Sequence, residues 1–222
     1  MIKDSTFLKE SYPNSVYREI NNSIEFTASD SFAVSNLNHL SNKNISAPPK
    51  NTLFDKDITA ESSISKQLDE TEFFEKACKI AEIHIHKKFE ENFIQVIHKS
   101  NFEFGFHSQA DEFVQQALKQ YGVYARDWIN DLFIRKFDDS FLLSSILRVI
   151  AHFDYNQMYP QGITMAIAAT THSDIEVREC GIRCFESWEK PDNLRILRKL
   201  TFTEGWLNEY LQDVIRDLEK ME

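Results

Sequence analysis

From Asp69 onward, apolar residues recur every three or four positions. Phe73, Phe74, Ala77, Cys78, Ile80, Ala81, Ile85 and Phe89 carry this rhythm. It is the period of a helix with one buried stripe, and it predicts a helix over 69–99 with a break near Lys88. Residues 101–107 read as a loop or a short extended piece. Ser108 followed by Asp111 has the S-x-x-D spacing of a capping box, which predicts a helix over 109–120 ending at Gly122. The next helix is expected over 123–136, with Trp128, Ile129, Leu132 and Phe133 buried. Asp139 caps one over 140–153. Pro160 sits where a first-turn proline belongs and opens 160–171. Ser173 or Asp174 caps 175–189, Pro191 opens 191–200, and Thr203 or Glu204 opens 204–220. Helices of three or four turns with short joins predict antiparallel hairpins packed in series.

Residues 1–66 lack a sustained period. Serine and asparagine recur through them, and Pro48-Pro49 follows. Such a segment buries too little apolar surface to offset its ordering entropy. It is read as a flexible, disordered or loosely ordered N-terminal arm. Residues 7–17 or 53–54 are candidate linear motifs that fold on a partner. The helical domain is then 67–222.

The helical part repeats itself. Residues 139–153 align with 174–188 at a period of 35. Leu142 falls on Val177, Leu147 on Ile182, Arg148 on Arg183, Ile150 on Phe185 and Phe153 on Trp188. A third copy at an offset of 29 sets Trp206, Leu211 and Val214 on Val177, Ile182 and Phe185. A lone hairpin cannot hide its apolar face, whereas stacked neighbours make the core continuous. The segment Asp174-Ile-Glu-Val-Arg178, with Cys180, Ile182, Phe185 and Trp188, resembles the HEAT-like helical repeat superfamily over about 109–220. The likeness lies in a capping Asp, a Val-Arg pair, a small residue and large apolar ones. It implies an all-α fold: a short α-solenoid whose second helices line a face that binds another protein. Some members of that superfamily are enzymes. The metal-dependent deoxyhypusine hydroxylases use His-Glu pairs, and this chain has no His-Glu dipeptide. The alkylated-base DNA glycosylases need a basic groove.

Charge and glycine content sharpen this picture. Five glycines and five prolines are too few for the many tight turns of a sandwich or barrel. The formal net charge is -10. Residues 1–66 hold seven Lys/Arg and eight Asp/Glu, which leaves -9 on the helical part. An acidic surface repels phosphate backbones, so no nucleic acid is expected as partner. Another protein with a basic surface fits better. No apolar run has the length of a membrane span or a signal peptide. Three cysteines do not form a disulfide framework, and a reducing cytoplasmic location is expected.

Candidate chemistry is sparse. Cys180 and Cys184 share one helix face and with His172 would make three zinc ligands, but no C-x-x-C is present and buried packing is the favoured reading. His84 and His86 point in different directions, and a Glu82–His86 contact reads as a surface pair. Arg178 is expected to meet Asp174, with Arg148 and Arg183 continuing a row that ties hairpins together. No nucleophile elbow, Walker loop or H-E-x-x-H occurs. No catalytic residue, no metal and no cofactor is therefore assigned. The expected role is a non-catalytic interaction module or adaptor. Its alternatives are an acidic immunity or antitoxin-type inhibitor of a basic toxin, or an enzyme using buried carboxylates or the cysteine pair. Position in the hairpins names Arg126, Tyr159, Gln161, Thr164, Arg195 and Arg198 as candidate binding residues.

Overall fold

The computed structural model describes residues 58–102 and 106–221. Every regular element among them is helical. The arm expected over 1–66, with both of its motif candidates, lies outside the described residues as far as residue 57. Two compact units divide the chain, Met1–Lys87 and Lys88–Glu222.

Helix α1, Ile58–Lys99, starts well before the expected Asp69 and shows no break at Lys88. Its first turns are polar, so periodicity did not reveal them. In the first unit Cys78, Ala81 and Ile85 are buried at helical spacing. Ile80 was expected on that stripe and is instead 64% exposed. It lies about 100° round the helix from Ala81, which takes the buried place.

The second unit holds the rest of α1 and eight further helices. These are α2 (Gln109–Tyr121), α3 (Val123–Arg135), α4 (Ser140–Ala151) and α5 (Tyr155–Met158). Then come α6 (Gln161–Ala169), α7 (Ile175–Trp188), a 3-10 turn at Pro191–Asn193, α8 (Leu194–Leu197) and α9 (Gly205–Glu219). Local chemistry sets most boundaries. Ser108 and Asp111 form the expected reciprocal capping box on α2. Asp139 accepts from the Leu142 amide at 3.0 Å, and Asp174 from the Glu176 amide at 2.9 Å. Gly122 turns α2 into α3 at φ 58°, which a Cβ would strain. The expected helix over 191–200 is reduced to a 3-10 turn and one α turn. The sequence pattern missed the short α5, whose cap is Asp154 with Gln157.

Packing runs in series. Helices α2, α4, α7 and α9 touch one after another, and α3 meets α6 beside them. The α4–α7 contact is the most extensive, followed by α6–α7. The period of 35 explains the first of these. Leu142, Ser145, Ile146, Leu147, Val149 and Ile150 are buried on α4, as are Val177, Cys180, Gly181, Ile182, Cys184 and Phe185 on α7. Each residue of the first set lies 35 positions before one of the second. The third copy needs a correction. Trp206 is 50% exposed, and Leu207 is the buried residue instead. An offset of 30 superposes Leu207, Leu211, Val214, Ile215 and Leu218 on the buried face of α7.

Close approach depends on a glycine. A Cβ on Gly181 would meet the Ala166 carbonyl oxygen and the Ala169 Cβ, each at 2.9 Å. An aromatic cluster closes the other end of the unit. Phe93 stacks on Phe113 at 5.6 Å, and Phe89 lies 5.3 Å from Trp128. Among the described residues, no helix is long and apolar enough to cross a membrane.

Candidate functional site

Helices α4 and α7 bury most of their facing surfaces, but their C-terminal halves leave a cleft of about 600 Å³. Leu147 and Ala151 line it from α4, and Cys180 from α7. Phe102 and Phe106, from the segment before α2, line it as well. Phe106 is 69% exposed, a large cost for an aromatic ring in water. Charged groups surround these apolar ones: Arg148, Arg183, Glu179, Glu186 and Glu189.

Both arginines are already matched. Arg148 donates to Glu176 at 2.6 Å, and Arg183 donates to Glu179 at 2.6 Å. Glu186 accepts from the Tyr210 hydroxyl, and burial with this bond raises the Tyr210 pKa. A smaller neighbouring hollow of about 300 Å³ shares Glu186 and Glu189 and adds Asp217 and Lys220, which pair at 2.7 Å. That end of the cleft is therefore acidic.

His152 also lines the cleft, at the C-cap of α4. Its Nδ1 lies 2.9 Å from Asp111 Oδ1. Asp111 is only 4% exposed, and its Oδ2 accepts from the Ser108 amide and hydroxyl at 2.5 and 2.8 Å. The His107 ring meets the His152 ring edge-on, centroids 5.1 Å apart. Sequence reasoning used Asp111 as a cap and passed over both histidines. The spacing of His107 and Asp111 was visible, but His152 is 41 positions further on.

The residues named from the sequence fall elsewhere. Tyr159, Thr164 and Arg195 line a second hollow of about 610 Å³, with Tyr155, Ile163 and Asn193. Burial raises the Tyr155 pKa there. The other three hold the fold together. Arg126 donates to the carbonyls of Tyr159 and Gln157 at 2.5 and 3.3 Å. Gln161 donates to Asp127 at 2.5 Å, and Arg198 pairs with Glu219 at 2.7 Å.

Of the three arginines expected to tie hairpins together, Arg148 and Arg178 form ion pairs between different elements and Arg183 does not. The Arg178 guanidinium donates to the His172 and Ser173 carbonyls and to Glu204, the cap of α9, while only the Arg178 backbone amide bonds Asp174, at its carbonyl. With Arg148–Glu176 it links successive helices of the series. Arg183 stays within its own helix.

The cysteines are packed. Burial pushes the Cys180 thiol up to about 11, and it also raises Cys184 well above the usual thiol value. Cys184 Sγ donates to the Leu147 carbonyl at 3.4 Å. His172 Nε2 donates to the Phe137 carbonyl at 2.8 Å, and its Nδ1 accepts from the Asp174 amide at 3.0 Å. With both ring nitrogens engaged, His172 is occupied in joining α3's exit to α7's entry. Of the other histidines considered, His84 is exposed and His86 is half-buried.

Among the described residues, the fold is all-helical and carries a cleft with an acidic end. Comparison with protein-family models, with curated proteins and with solved structures gives no match.

Proposed function

We propose that this chain is a non-catalytic protein-interaction module, a short HEAT-like stack of helical hairpins that binds a partner in the α4–α7 cleft. The serial contact of α2, α4, α7 and α9, each paired with a second row, supports the stacked reading. The observation that carries the binding reading is the cleft itself. It places an exposed aromatic, Phe106, over an apolar floor and ends at the carboxylates of Glu186 and Glu189. Exposed apolar patches with a polar rim mark interaction surfaces. Protonated, buried thiols make poor nucleophiles, which argues against catalysis by the cysteine pair.

The partner segment that fits carries one or two large apolar side chains followed by Lys or Arg. The apolar groups would fill the floor between Leu147, Ala151 and Cys180, and the basic ones would meet Glu186 and Glu189. A basic toxin held by an acidic inhibitor is one form of such a partner. The test is peptide selection from a random 12-residue display library on the full-length chain. Apolar-basic sequences are expected, and their enrichment should vanish on a Glu186→Lys/Glu189→Lys variant. Enrichment of acidic sequences, or of the same sequences on both proteins, would refute the reading.

A further inference from the structure

We propose that His107, Asp111 and His152 form a binding site for a divalent transition-metal ion of the zinc class. The three side chains come from two elements that pack together. His107 immediately precedes the α2 cap, Asp111 lies in the first turn of α2, and His152 caps the end of α4. One ligand atom from each lies within 4.8 Å of the others.

The donor set has the right chemistry. Two imidazoles and one carboxylate suit zinc, cobalt or iron, whereas magnesium and calcium take oxygen. Three protein ligands leave a tetrahedral ion with one open position, as in sites that bind water or a further ligand. His152 lines the cleft, so the site borders it.

The surroundings also match a built site. Asp111 is buried, yet its carboxylate has one oxygen fixed and one presented. Ser108 holds Oδ2 through its amide and hydroxyl, and Oδ1 faces His152. Outer hydrogen bonds of this kind orient metal ligands. Around a tetrahedral ion with bonds of about 2.1 Å, neighbouring ligand atoms sit about 3.4 Å apart. The Oδ1–Nδ1 distance of 2.9 Å must therefore widen by about 0.5 Å when an ion enters. His152, with its side chain 33% exposed and at a helix end, has room to make that movement.

Neither the repeat nor the cap needs this arrangement. The capping box requires only Ser108 and Asp111, and nothing in it calls for a histidine on each side. The assignment departs from the sequence expectation that the chain holds no metal. His152 borders the cleft of the partner proposed above, but that proposal rests on Phe106, Glu186 and Glu189 and not on the three ligands, so either reading can fail alone.

The experiment uses the full chain without an affinity tag, stripped by chelator and then titrated with zinc in a calorimeter. Cobalt is added in parallel for its visible absorption. We expect one ion per chain with micromolar or tighter affinity, and the intense visible bands of tetrahedral cobalt. His107→Ala removes an exposed residue outside every helix, so its far-UV circular dichroism should match the parent. Its zinc affinity should fall at least about tenfold, as should that of His152→Ala. Ser108→Ala, which frees the Asp111 carboxylate to turn, should weaken binding about tenfold. No binding at 100 μM zinc would overturn the proposal and leave a simple hydrogen-bonded Asp–His pair. One-to-one binding that survives both histidine substitutions would overturn it equally, by placing the ion elsewhere.

Discussion

Among the described residues, two hollows of nearly equal size differ in what lines them. The α4–α7 cleft, about 600 Å³, has a floor of Leu147, Ala151 and Cys180 beneath an exposed Phe106. The second, about 610 Å³, lies where Tyr155, Tyr159, Thr164, Asp192 and Arg195 meet, and its walls are mixed. Volume alone does not separate them. Apolar surface left in water does, because only its removal gives a large binding free energy. The acidic end of the first cleft adds a sign to its preference, whereas Arg195 and Asp192 in the second largely offset one another.

The largest expected effect tests that contrast directly. Phe106→Asp should weaken a selected apolar-basic peptide by about 2–4 kcal/mol, the scale of an aromatic hot spot, by fluorescence anisotropy. Tyr159→Ala in the second hollow should change the same affinity by less than about 0.5 kcal/mol, as an energetically neutral position. Equal losses at both sites would erase the distinction.

Next in size is the wall between the hollows. Helix α7 lines the first and presses on α6, which lines the second, at Gly181. Gly181→Ala puts a methyl 2.9 Å from a backbone oxygen, so it should destabilise by about 1–3 kcal/mol through overpacking. In a chain this long, that lowers Tm by roughly 2–4 °C per kcal/mol in thermal melts. Gly205→Ala at the start of α9 meets nothing within 4 Å and should instead be neutral or stabilising by up to about 1 kcal/mol.

Two arginines give a smaller contrast. Arg178 has its side chain 13% exposed and holds two carbonyls and Glu204. Arg178→Ala should cost about 2 kcal/mol in urea unfolding, since bonds to a charged donor are lost. Arg148 and Glu176 are 38% and 55% exposed, and Arg148→Ala should cost at most about 1 kcal/mol.

The smallest effect is chemical. With its thiol at about 11, Cys180 should resist iodoacetamide in the native chain at pH 8 and react once unfolded. The sign follows from linkage. The unfolded thiol ionises from pH 9 while the native one stays protonated, so Cys180 favours unfolding between about 9 and 11. Rapid native alkylation at pH 8 would contradict its burial.

Much of the fold was legible because its boundaries are local. Caps such as Ser108, Asp139 and Asp174 announce themselves by residue type and spacing, and Gly122 marks the turn from α2 into α3. The period of 35 was legible because α4 and α7 present the same buried positions to each other. The third copy was misread by one residue because Trp206 looks like a core residue, while only packing shows that Leu207 turns inward. The arginine row was anticipated, yet its partner was not. Glu204 lies 26 positions from Arg178, and no local rule selects it over Asp174. The cleft was invisible for a related reason. It is a gap between two helices and a loop, so its lining is scattered over 102–189. The same holds for His152, which meets Asp111 only once α2 and α4 pack.

The most direct test of the account is a site-specific photo-crosslink. A photoreactive aromatic placed at Phe106, and separately at Tyr159, is irradiated with the selected apolar-basic peptide, and the products are mapped by mass spectrometry. The account predicts a crosslink from position 106 and none from 159. A crosslink from 159 with none from 106 would contradict it.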